Sequence, residues 1–502
     1  MSYKAELNDL ERSGERTLTE QMVGVFQEAI ATGELPAGEK LPPTRELAEL
    51  ADVNHLTAVR VYRRLRELGL VVSQVGRGTF VREAVPLRAP GGEDESPAWQ
   101  RYVLPPVADS AGDRAMDEMY RHSQARGLIP LSVGYPSAEL FPYEQMRDAM
   151  AEALEAHGSQ ALQYTDIAGL PELIEQIAEL SAARGAPEDP SNILITTGAR
   201  QGLTLAARAI LRPGDVAACE SPTFMGVIES LRDTGARVIS VPVDSEGLDT
   251  NALEELLARQ EIKLLALQTR CHNPTGADLS PERRSRLIEL ARRHGFFIVE
   301  DGIYADLRFE GNDPGSLRRE APSHVIYVDS FSKIVSGGMR IGWLASSGPV
   351  RERLLRAKRT DDMHSATLTQ LAMARFLAAG RYQEHLERAQ PFYRERRDAL
   401  YEAVTRHLGG LAAVELPGGG GHLWLTLAVS VDKGELMTEA VRHGVTFIPG
   451  TAVLPEPDAG THLRLSFGFL DPEKLTEGVR RLGRALRAVD QQTLVSAAPP
   501  IA

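Results

Sequence analysis

The sequence predicts an α/β protein in two parts: a small helical module at the N terminus, and a large body built on a mostly parallel, seven-stranded sheet with a smaller C-terminal α+β piece. Two observations predict this class. From about residue 114 to 488, short β-rich runs that are apolar on both faces alternate with helical patterns, as in a parallel sheet covered on both sides. In residues 17–82, helical patterns separated by short breaks end in VVSQVGRGTFV, which is typical of a two-stranded hairpin.

Length and composition set the outer limits. The length of 502 residues is sufficient for about three folding units. The composition, with 43% hydrophobic and 25% charged residues, excludes a chain that is disordered throughout. No window reaches the ~18 to 20 consecutive apolar residues of a membrane-spanning helix, the start does not resemble a signal peptide, and two cysteines are too few for a disulfide framework. We therefore expect a soluble, reduced, cytoplasmic protein with no membrane partner, and no metal site. The net charge of -13 argues against non-specific coating of nucleic acid but leaves room for a small DNA-binding module.

The N-terminal module has the pattern of two helices joined by a turn. Pro42 and Pro43 suit the opening of a short helix that ends near Ala51, and Asn54 suits the N-cap of the next helix. The second helix should bury one stripe, formed by Ala58, Val61, Tyr62, Leu65 and Leu68. The side chains that then point elsewhere are His55, Thr57, Arg60, Arg63 and Arg64.

Charge in this module is polarised along the chain. Residues 17–54 carry two basic and seven acidic side chains, whereas residues 55–82 carry six arginines and one glutamate. The positive half contains the helix that would enter a major groove, and Arg77 lies between two glycines at the hairpin tip, free to enter a minor groove. The alternative is an arginine-rich helix face that is merely solvated. The hairpin favours DNA binding.

This segment resembles the GntR-family winged helix-turn-helix over its full length. The matching landmarks are GELPAGEKLPPTRELA, the recognition helix with TAVRVY, and the wing GRGTFV. The resemblance implies DNA contacts from Arg45, Thr57, Arg60 and Gly78. The family usually has Ser-Arg where this chain has Asn54-His55, so His55 would make a weaker and pH-sensitive phosphate contact.

A linker is expected between the two parts. Residues 83–113 begin with EAVPLRAPGGEDESP, which is rich in Pro, Gly and acid and offers little to bury. The alternative is a structured arm anchored by Trp99 and Tyr102. We expect a DNA-binding domain over 15–82, an effector domain over 114–488 and a flexible tail over 489–502.

The body is expected to alternate strands and helices, with long helices over 350–408 and a second α+β piece that contains LWLTLAV and THLRLSF. The strand candidates of the main sheet are 192–197, 216–220, 236–243, 262–268, 296–301, 324–330 and 341–346.

Three polar motifs follow these strands, at the edge where open α/β sheets bind ligands. Asn273 is the first residue of NPTG, and Asp301 and Tyr304 are the first and last residues of DGIY. Lys333 is the last residue of SFSK, and Arg340 follows seven residues later. A pyridine-aldehyde cofactor requires a lysine for a Schiff base, an acid at the pyridine nitrogen, and hydroxyl, guanidinium and backbone N–H groups for a phosphate. NPTG alone is only a turn, and Asp301 with Tyr304 could cap a strand, but the three motifs in this order are specific.

The body resembles the fold-type I aminotransferases that use pyridoxal 5'-phosphate, over roughly residues 125–488. The resemblance implies that Lys333 forms the internal aldimine, that Asp301 faces the pyridine nitrogen, and that Tyr304 and Asn273 hold the ring oxygen. It also implies an aromatic stack from Phe224 and a substrate-carboxylate site at Arg464, beside Gly134 and Tyr135. The implied phosphate contacts are Ser330, Ser332, Arg340 and the loop Gly198-Ala199-Arg200, where Arg200 replaces a frequent Gln and contributes only its backbone N–H. Tyr164 matches a tyrosine that reaches the neighbouring subunit, which implies a homodimer.

The two resemblances together are the arrangement of the MocR subfamily of GntR regulators. They imply a transcriptional regulator that binds double-stranded operator DNA and senses an amino-acid-like effector through an external aldimine at Lys333, or senses pyridoxal phosphate itself. The alternative is a working aminotransferase that carries a DNA-binding module. For Cys271 we expect a buried turn rather than a reactive thiol. For His422 we expect a flexible loop rather than a contact with the ligand.

Overall fold

The computed structural model describes residues 3, 7, 10, 17–31, 34–36, 38–67, 70–74, 78–81, 127–428, 431, 433–455 and 462–497. The chain forms two compact units, Met1–Ala108 and Asp109–Ala502. The expected linker, 83–113, lies outside the described residues.

The first unit is the expected helix-turn-helix with a hairpin. Its elements are α1 (Leu18–Ala31), α2 (Thr44–Leu50), α3 (His55–Glu67), β1 (Val71–Gln74) and β2 (Gly78–Val81). The two strands pair antiparallel, with Val71 opposite Val81. Asn54 caps α3, since its side-chain oxygen accepts the N–H of Leu56 at 2.9 Å. The Tyr62 hydroxyl donates to the carbonyl of Pro42 at 2.6 Å and so ties α3 to the start of α2.

The second unit contains a large sheet, a small sheet and their covering helices. Its strands are β3 (Ile129–Pro130), β4 (Ile193–Thr196), β5 (Val216–Ser221), β6 (Arg237–Asp244), β7 (Gly247–Leu248), β8 (Leu264–Leu267), β9 (Phe297–Asp301), β10 (Val325–Ser330), β11 (Gly342–Ala345), β12 (Ala412–Val414), β13 (His422–Leu427), β14 (Val445–Thr446), β15 (Ile448–Pro449) and β16 (His462–Ser466). Its helices are α4 (Tyr143–His157), α5 (Pro171–Ala183), α6 (Ala199–Ile210), α7 (Met225–Arg232), α8 (Thr250–Leu257), α9 (Pro281–His294), α10 (Pro349–Asp361), α11 (Thr367–Ala378), α12 (Arg381–Leu408), α13 (Lys433–Arg442) and α14 (Pro472–Ala497).

The large sheet has the strand order β4-β11-β10-β9-β8-β5-β6-β7. All seven expected strands are present, and β10, β9, β8, β5 and β6 run parallel to one another. Strand β11 is antiparallel to both β10 and β4. The large sheet has eight strands rather than the expected seven. The additional strand is β7, which pairs with the end of β6 because Gly247, with φ of 86°, turns the chain back.

The small sheet has the order β12-β13-β16-β15, and the long helices α12 and α14 pack together beside it. Its strands β13 and β16 are the two that the sequence indicated. The tail expected from residue 489 is wrong up to 497, because α14 continues to Ala497 and Val489 is fully buried. The chain has no glycine or proline between Gly483 and Pro499 to stop that helix. Within the described parts of the chain, no helix combines the length and apolar character that a bilayer crossing needs.

Candidate functional site

The three polar motifs meet at one edge of the large sheet, because β8, β9 and β10 are parallel neighbours and each motif follows the carboxyl end of its strand. Asn273 lies in the turn after β8, Asp301 ends β9, and Lys333 ends the short 3-10 turn Phe331–Lys333 after β10. The parallel pairing that the apolar runs predicted is therefore what brings these residues together.

Lys333 is enclosed at the centre of this edge. Its Nζ donates to the carbonyl oxygen of Gly134 at 2.8 Å and lies 5.7 Å from the centre of the Tyr304 ring. Its backbone carbonyl accepts the hydroxyl of Tyr393 at 2.7 Å, which fixes the turn. Burial and the nearby charge of Arg464 lower the pKa of Lys333 from 10.5 to about 8, although Asp301 acts in the opposite direction. A lysine in this state has a substantial fraction of neutral, nucleophilic amine near neutral pH.

Asp301 is a buried carboxyl group. One oxygen accepts the side-chain N–H of Gln268 at 3.0 Å, and the other accepts the backbone N–H of Ile303 at 3.1 Å. Burial raises the pKa of Asp301 from 3.8 to about 7, and Asp329 adds to this, whereas Lys333 and the hydrogen bonds oppose it. A cation that faced this carboxyl would favour its ionised form.

Asn273 and Arg464 form a buried pair between the large and small sheets. An Nη of Arg464 donates to Oδ1 of Asn273 at 3.1 Å, and the backbone N–H of Asn273 donates to Oε1 of Gln268 at 2.7 Å. Both side chains are buried. Because its carbonyl oxygen accepts from Arg464, the amide of Asn273 presents its NH₂ group on the other side.

His422 corrects an expectation. It is not a flexible loop residue but the first residue of β13, and it is buried. Its Nε2 lies 3.0 Å from the hydroxyl of Tyr304, and its Nδ1 lies 3.0 Å from the hydroxyl of Ser466. The signal was the alternation of HLWLTL, which places His422 on the same face as Trp424. The run of glycines before it obscured that pattern.

A second group of residues forms a cup beside Lys333. The hydroxyls of Ser330 and Ser332 lie 2.7 Å apart, and an Nη of Arg340 donates to the carbonyl of Thr197 at 2.6 Å. Gly198, with φ of 100°, precedes the first turn of α6, and a Cβ there would lie 3.0 Å from an Nη of Arg340. Glycine suits this position, because L side chains rarely adopt this φ and because a side chain there would crowd Arg340. A helix N terminus, two hydroxyls and a guanidinium are the groups that bind a phosphate.

The other expected body residues have different surroundings. The side chain of Arg200, at the start of α6, pairs with Glu229 on α7, which agrees with a role for its backbone alone. Phe224 is half-buried against Met225 and Ile448. Tyr164 is 77% exposed, with its ring edge against His364 at 5.4 Å. Cys271 is buried in a turn, as expected, and burial raises the pKa of its thiol to about 12.

The N-terminal unit exposes the side chains that were expected to contact DNA. Ala58, Val61, Tyr62 and Leu65 are buried, while Arg45, His55 and Arg60 are exposed and Thr57 is half-buried. Nε2 of His55 lies 3.1 Å from the hydroxyl of Thr44, which links the start of α3 to the start of α2. Gly78 begins β2 with φ of 121°. Arg77 and Leu68 lie outside the described residues.

Comparison with known proteins gives matches for both units. Residues 126–482 match the family model for aminotransferase class I and II, and residues 18–81 match that for bacterial regulatory proteins of the gntR family. The HTH-type transcriptional regulator TauR of Rhodobacter capsulatus is 31% identical over 97% of this chain and 100% of its own length. The 2-aminoadipate transaminase of Thermus thermophilus is 35% identical over 74% of this chain and 93% of its own length.

The chain belongs to the class I and II aminotransferase family. Its N-terminal match adds a GntR-family domain, and the two together are the MocR-type arrangement. Among solved structures, the α-aminoadipate aminotransferase LysN of Thermus thermophilus, which is complexed with a phosphopyridoxyl-leucine, has a TM-score of 0.70 and 33% identity over 78% of this chain and 99% of that chain.

The cofactor of this aminotransferase-family chain is pyridoxal 5'-phosphate, and the donor set fits it. The enclosed amine of Lys333 with its lowered pKa suits an aldehyde, and the buried carboxyl of Asp301 suits a pyridine nitrogen. The cup at Gly198, with Arg340 and the two serines, suits a phosphate.

Proposed function

We propose that this protein is a pyridoxal-phosphate-dependent regulator of transcription, which binds operator DNA through its N-terminal unit and a small effector through its body. The observation that carries the proposal is the union, in one chain, of an exposed arginine-rich recognition helix and an enclosed lysine beside a phosphate cup. The relatives named as HTH-type regulators, which match over nearly the whole chain, support it.

Each residue of the body site has a proposed role toward the cofactor. When bound, the cofactor supplies an aldehyde that joins amines and a ring that withdraws electrons. Lys333 would be the point of covalent attachment, and Asp301 would face the pyridine nitrogen and hold its proton. Tyr304 and Asn273 would hold the ring oxygen, and Phe224 would stack on the ring. The proposed phosphate ligands are Ser330, Ser332, Arg340 and the backbone N–H groups of Ala199 and Arg200.

The proposed effector is an amino acid or a close analogue. Arg464 is buried at the edge of the site, and its guanidinium can form the two parallel hydrogen bonds that a carboxylate accepts. Gly134, whose carbonyl oxygen accepts from Lys333, would lie beside the rest of the molecule. The amine of such an effector would compete with Lys333 for the aldehyde. Pyridoxal phosphate itself is the alternative effector.

The proposed DNA contacts lie on the recognition helix and around it. Arg60, Thr57 and His55 would face the major groove, Arg45 would contact the backbone from α2, and Arg77 with Gly78 would reach the minor groove from the wing. The excess of arginine in residues 55–82 supports this orientation. A protein that binds operator DNA acts where a bacterium keeps its chromosome, which is the cytoplasm.

We also propose a homodimer. Tyr164 is 77% exposed in a family whose matching tyrosine reaches the neighbouring subunit, so its hydroxyl would contact the phosphate in the site of the second copy. Two modules in one dimer would bind two operator half-sites.

The experiment that tests the function measures DNA retention against an amino-acid panel. The full-length protein, loaded with cofactor, is bound to fragments from upstream of its own gene and its neighbours. We expect one class of amino acid to change both the visible spectrum and the DNA affinity. An effector changes DNA affinity when it binds unequally to the two states of the protein that differ in their affinity for DNA. DNA binding that no amino acid and no removal of cofactor alters would overturn the proposal.

The second candidate is a working aminotransferase that carries a DNA-binding module. The specific observation in its favour is the low pKa of Lys333 beside Asp301, since an amine that titrates near 8 can serve as a proton carrier. Steady-state amino transfer distinguishes the two. Multiple turnovers at ordinary enzyme rates, together with DNA binding that ignores the ligand, would favour the enzyme.

A further inference from the structure

We propose that His422 and Ser466 are positioning residues, which orient the Tyr304 hydroxyl so that its proton points at the cofactor's ring oxygen. The inference rests on the proposed role of Tyr304 at that oxygen. It adds two residues of the small sheet that act on the cofactor only through Tyr304, and we call the three side chains the relay.

The register of the small sheet fixes the outer end of the relay. His422 and Ser466 are directly opposite each other on the antiparallel strands β13 and β16, and Nδ1 of His422 lies 3.0 Å from the Ser466 hydroxyl. Both side chains are buried. A cross-strand partner of this kind holds the imidazole in one orientation without help from solvent.

Two glycines close over the inner end of the relay. A Cβ on Gly134 would lie 3.1 Å from the His422 ring, and a Cβ on Gly421 would lie 3.1 Å from the Tyr304 ring. The two rings meet edge to face at 5.5 Å, with the Tyr304 hydroxyl 3.0 Å from Nε2 of His422. Glycine at these two positions therefore leaves the space that the rings of Tyr304 and His422 need for close packing.

Charge determines the direction of the hydrogen bonds. Burial, Arg464 and Lys333 hold the pKa of His422 well below its usual value, so the ring is neutral and has one N–H and one lone pair. If Nε2 carries the proton, it donates to Tyr304, Ser466 donates to Nδ1, and the Tyr304 proton is left for the ring oxygen. If Nδ1 carries the proton, Tyr304 must donate to Nε2 and has no proton to offer.

The first arrangement is the one that an anionic ring oxygen selects, because an oxygen that carries negative charge is stabilised by donors. Asn273 presents its NH₂ to the same region, since its Oδ1 already accepts from Arg464. Two donors at that oxygen would stabilise the form of the Lys333-linked cofactor that has lost the proton shared between ring oxygen and nitrogen. The relay would therefore lower the pH at which the bound cofactor changes colour.

The test is a pH titration of the visible spectrum of the cofactor-loaded, full-length protein, without amino acid or DNA. We expect His422→Leu to move the midpoint upward by about half to one pH unit, the size of one lost neutral hydrogen bond. Tyr304→Phe should move it in the same direction by at least as much, and the double variant no further than Tyr304→Phe alone. His422→Gln, whose amide N–H can replace Nε2–H, should restore most of the midpoint.

Two further variants keep the test decisive. Ser466→Ala removes the donor to Nδ1 and should give a smaller upward shift. Ser346→Ala is the matched control, because Ser346 is a buried serine whose backbone bonds Asn192, at the opposite edge of the sheet from Lys333. If His422→Leu does not fold, as judged by circular dichroism, Ser466→Ala carries the comparison with the control.

The outcomes separate the relay from the proposed site. A Tyr304→Phe shift with unchanged midpoints in His422→Leu and Ser466→Ala would overturn the relay and leave the site intact. An unchanged midpoint in Tyr304→Phe would overturn the placement of Tyr304 at the ring oxygen, and the relay with it. Shifts in all three residues that do not add would support the relay.

Discussion

The two units of this protein place their functional charges in opposite environments. In the N-terminal unit, Arg45 and Arg60 are exposed on helices whose other face is buried. In the body, Asp301 and Lys333 are enclosed, and burial brings their pKa values to about 7 and about 8. Exposed arginines can bind a polyanion such as DNA and release its counterions. Buried groups with shifted pKa values suit acid–base and nucleophilic chemistry near neutral pH. We therefore expect salt to change the DNA affinity of the N-terminal unit and pH to change the reactivity of the body.

The largest expected effect is in the body. Lys333→Ala should abolish the visible band of covalently attached cofactor completely, because among the residues that the structure describes no other amine lies where the three strand ends meet. The protein should remain folded and keep its DNA affinity in the absence of effector. Absorbance spectra after removal of free cofactor, with circular dichroism, provide the check. Lys263→Ala, at a surface lysine that pairs with Asp215, is the control and should keep the band. A persistent band in Lys333→Ala would refute the assignment.

The second effect is in the N-terminal unit. Arg60→Ala should weaken operator binding and reduce the slope of log affinity against log salt by about 1, because one fewer phosphate is neutralised. The spectrum of the cofactor should not change. Fluorescence anisotropy at several salt concentrations measures the slope. The matched control is Arg259→Ala, an exposed arginine of the body, for which we expect the wild-type slope. An unchanged slope in Arg60→Ala would remove Arg60 from the interface.

The third prediction concerns pH. Apo-protein should attach pyridoxal phosphate faster as pH rises, with a midpoint near 8, because only the neutral amine of Lys333 reacts and burial lowers its pKa to that value. Arg464→Gln removes a cation that contributes to this shift, so the pKa should rise and the midpoint should move upward by up to about one pH unit. Stopped-flow absorbance measures the rates. Arg308→Gln, at an arginine that pairs with Asp278, should leave the midpoint in place. A downward or absent shift in Arg464→Gln would contradict this electrostatic account.

The smallest effect concerns stability. Asn54→Ala should cost the N-terminal unit about 1 kcal/mol of unfolding free energy, because it removes the side-chain cap from α3. Asn54→Asp keeps a capping oxygen and should cost much less. Chemical denaturation of the full chain, followed by far-UV circular dichroism, compares the two. Equal losses would show that the cap contributes nothing.

Much of the fold could be predicted from the sequence, for physical reasons that differ between the units. Seven of the eight strands of the large sheet could be predicted, because strands buried on both faces form continuous apolar runs. The parallel order of β8, β9 and β10 places Asn273, Asp301 and Lys333 at one edge. The recognition helix was readable because its buried stripe repeats every three to four residues. The strand β7 was not, since two residues held by a glycine turn carry no periodic signal.

The candidate site was predicted less completely. Asn273, Asp301 and Lys333 could be predicted, because their motifs follow the carboxyl ends of strands, where parallel sheets bind ligands. The contact between His422 and Ser466 could not be predicted, because it depends on the register between β13 and β16, and pairing between strands some 40 residues apart cannot be read from a local pattern. The enclosure of Lys333 by Gly134 was likewise set by a contact across 199 positions of the chain.

One measurement tests most directly whether the two units communicate. Operator affinity of the cofactor-loaded protein is measured with and without the amino acid that changes its spectrum, in wild type and in Lys333→Ala. We predict that the ligand changes affinity in wild type and that the variant, which still binds DNA, shows no such change. Equal affinities in wild type with and without that ligand, accompanied by steady amino transfer, would contradict the account.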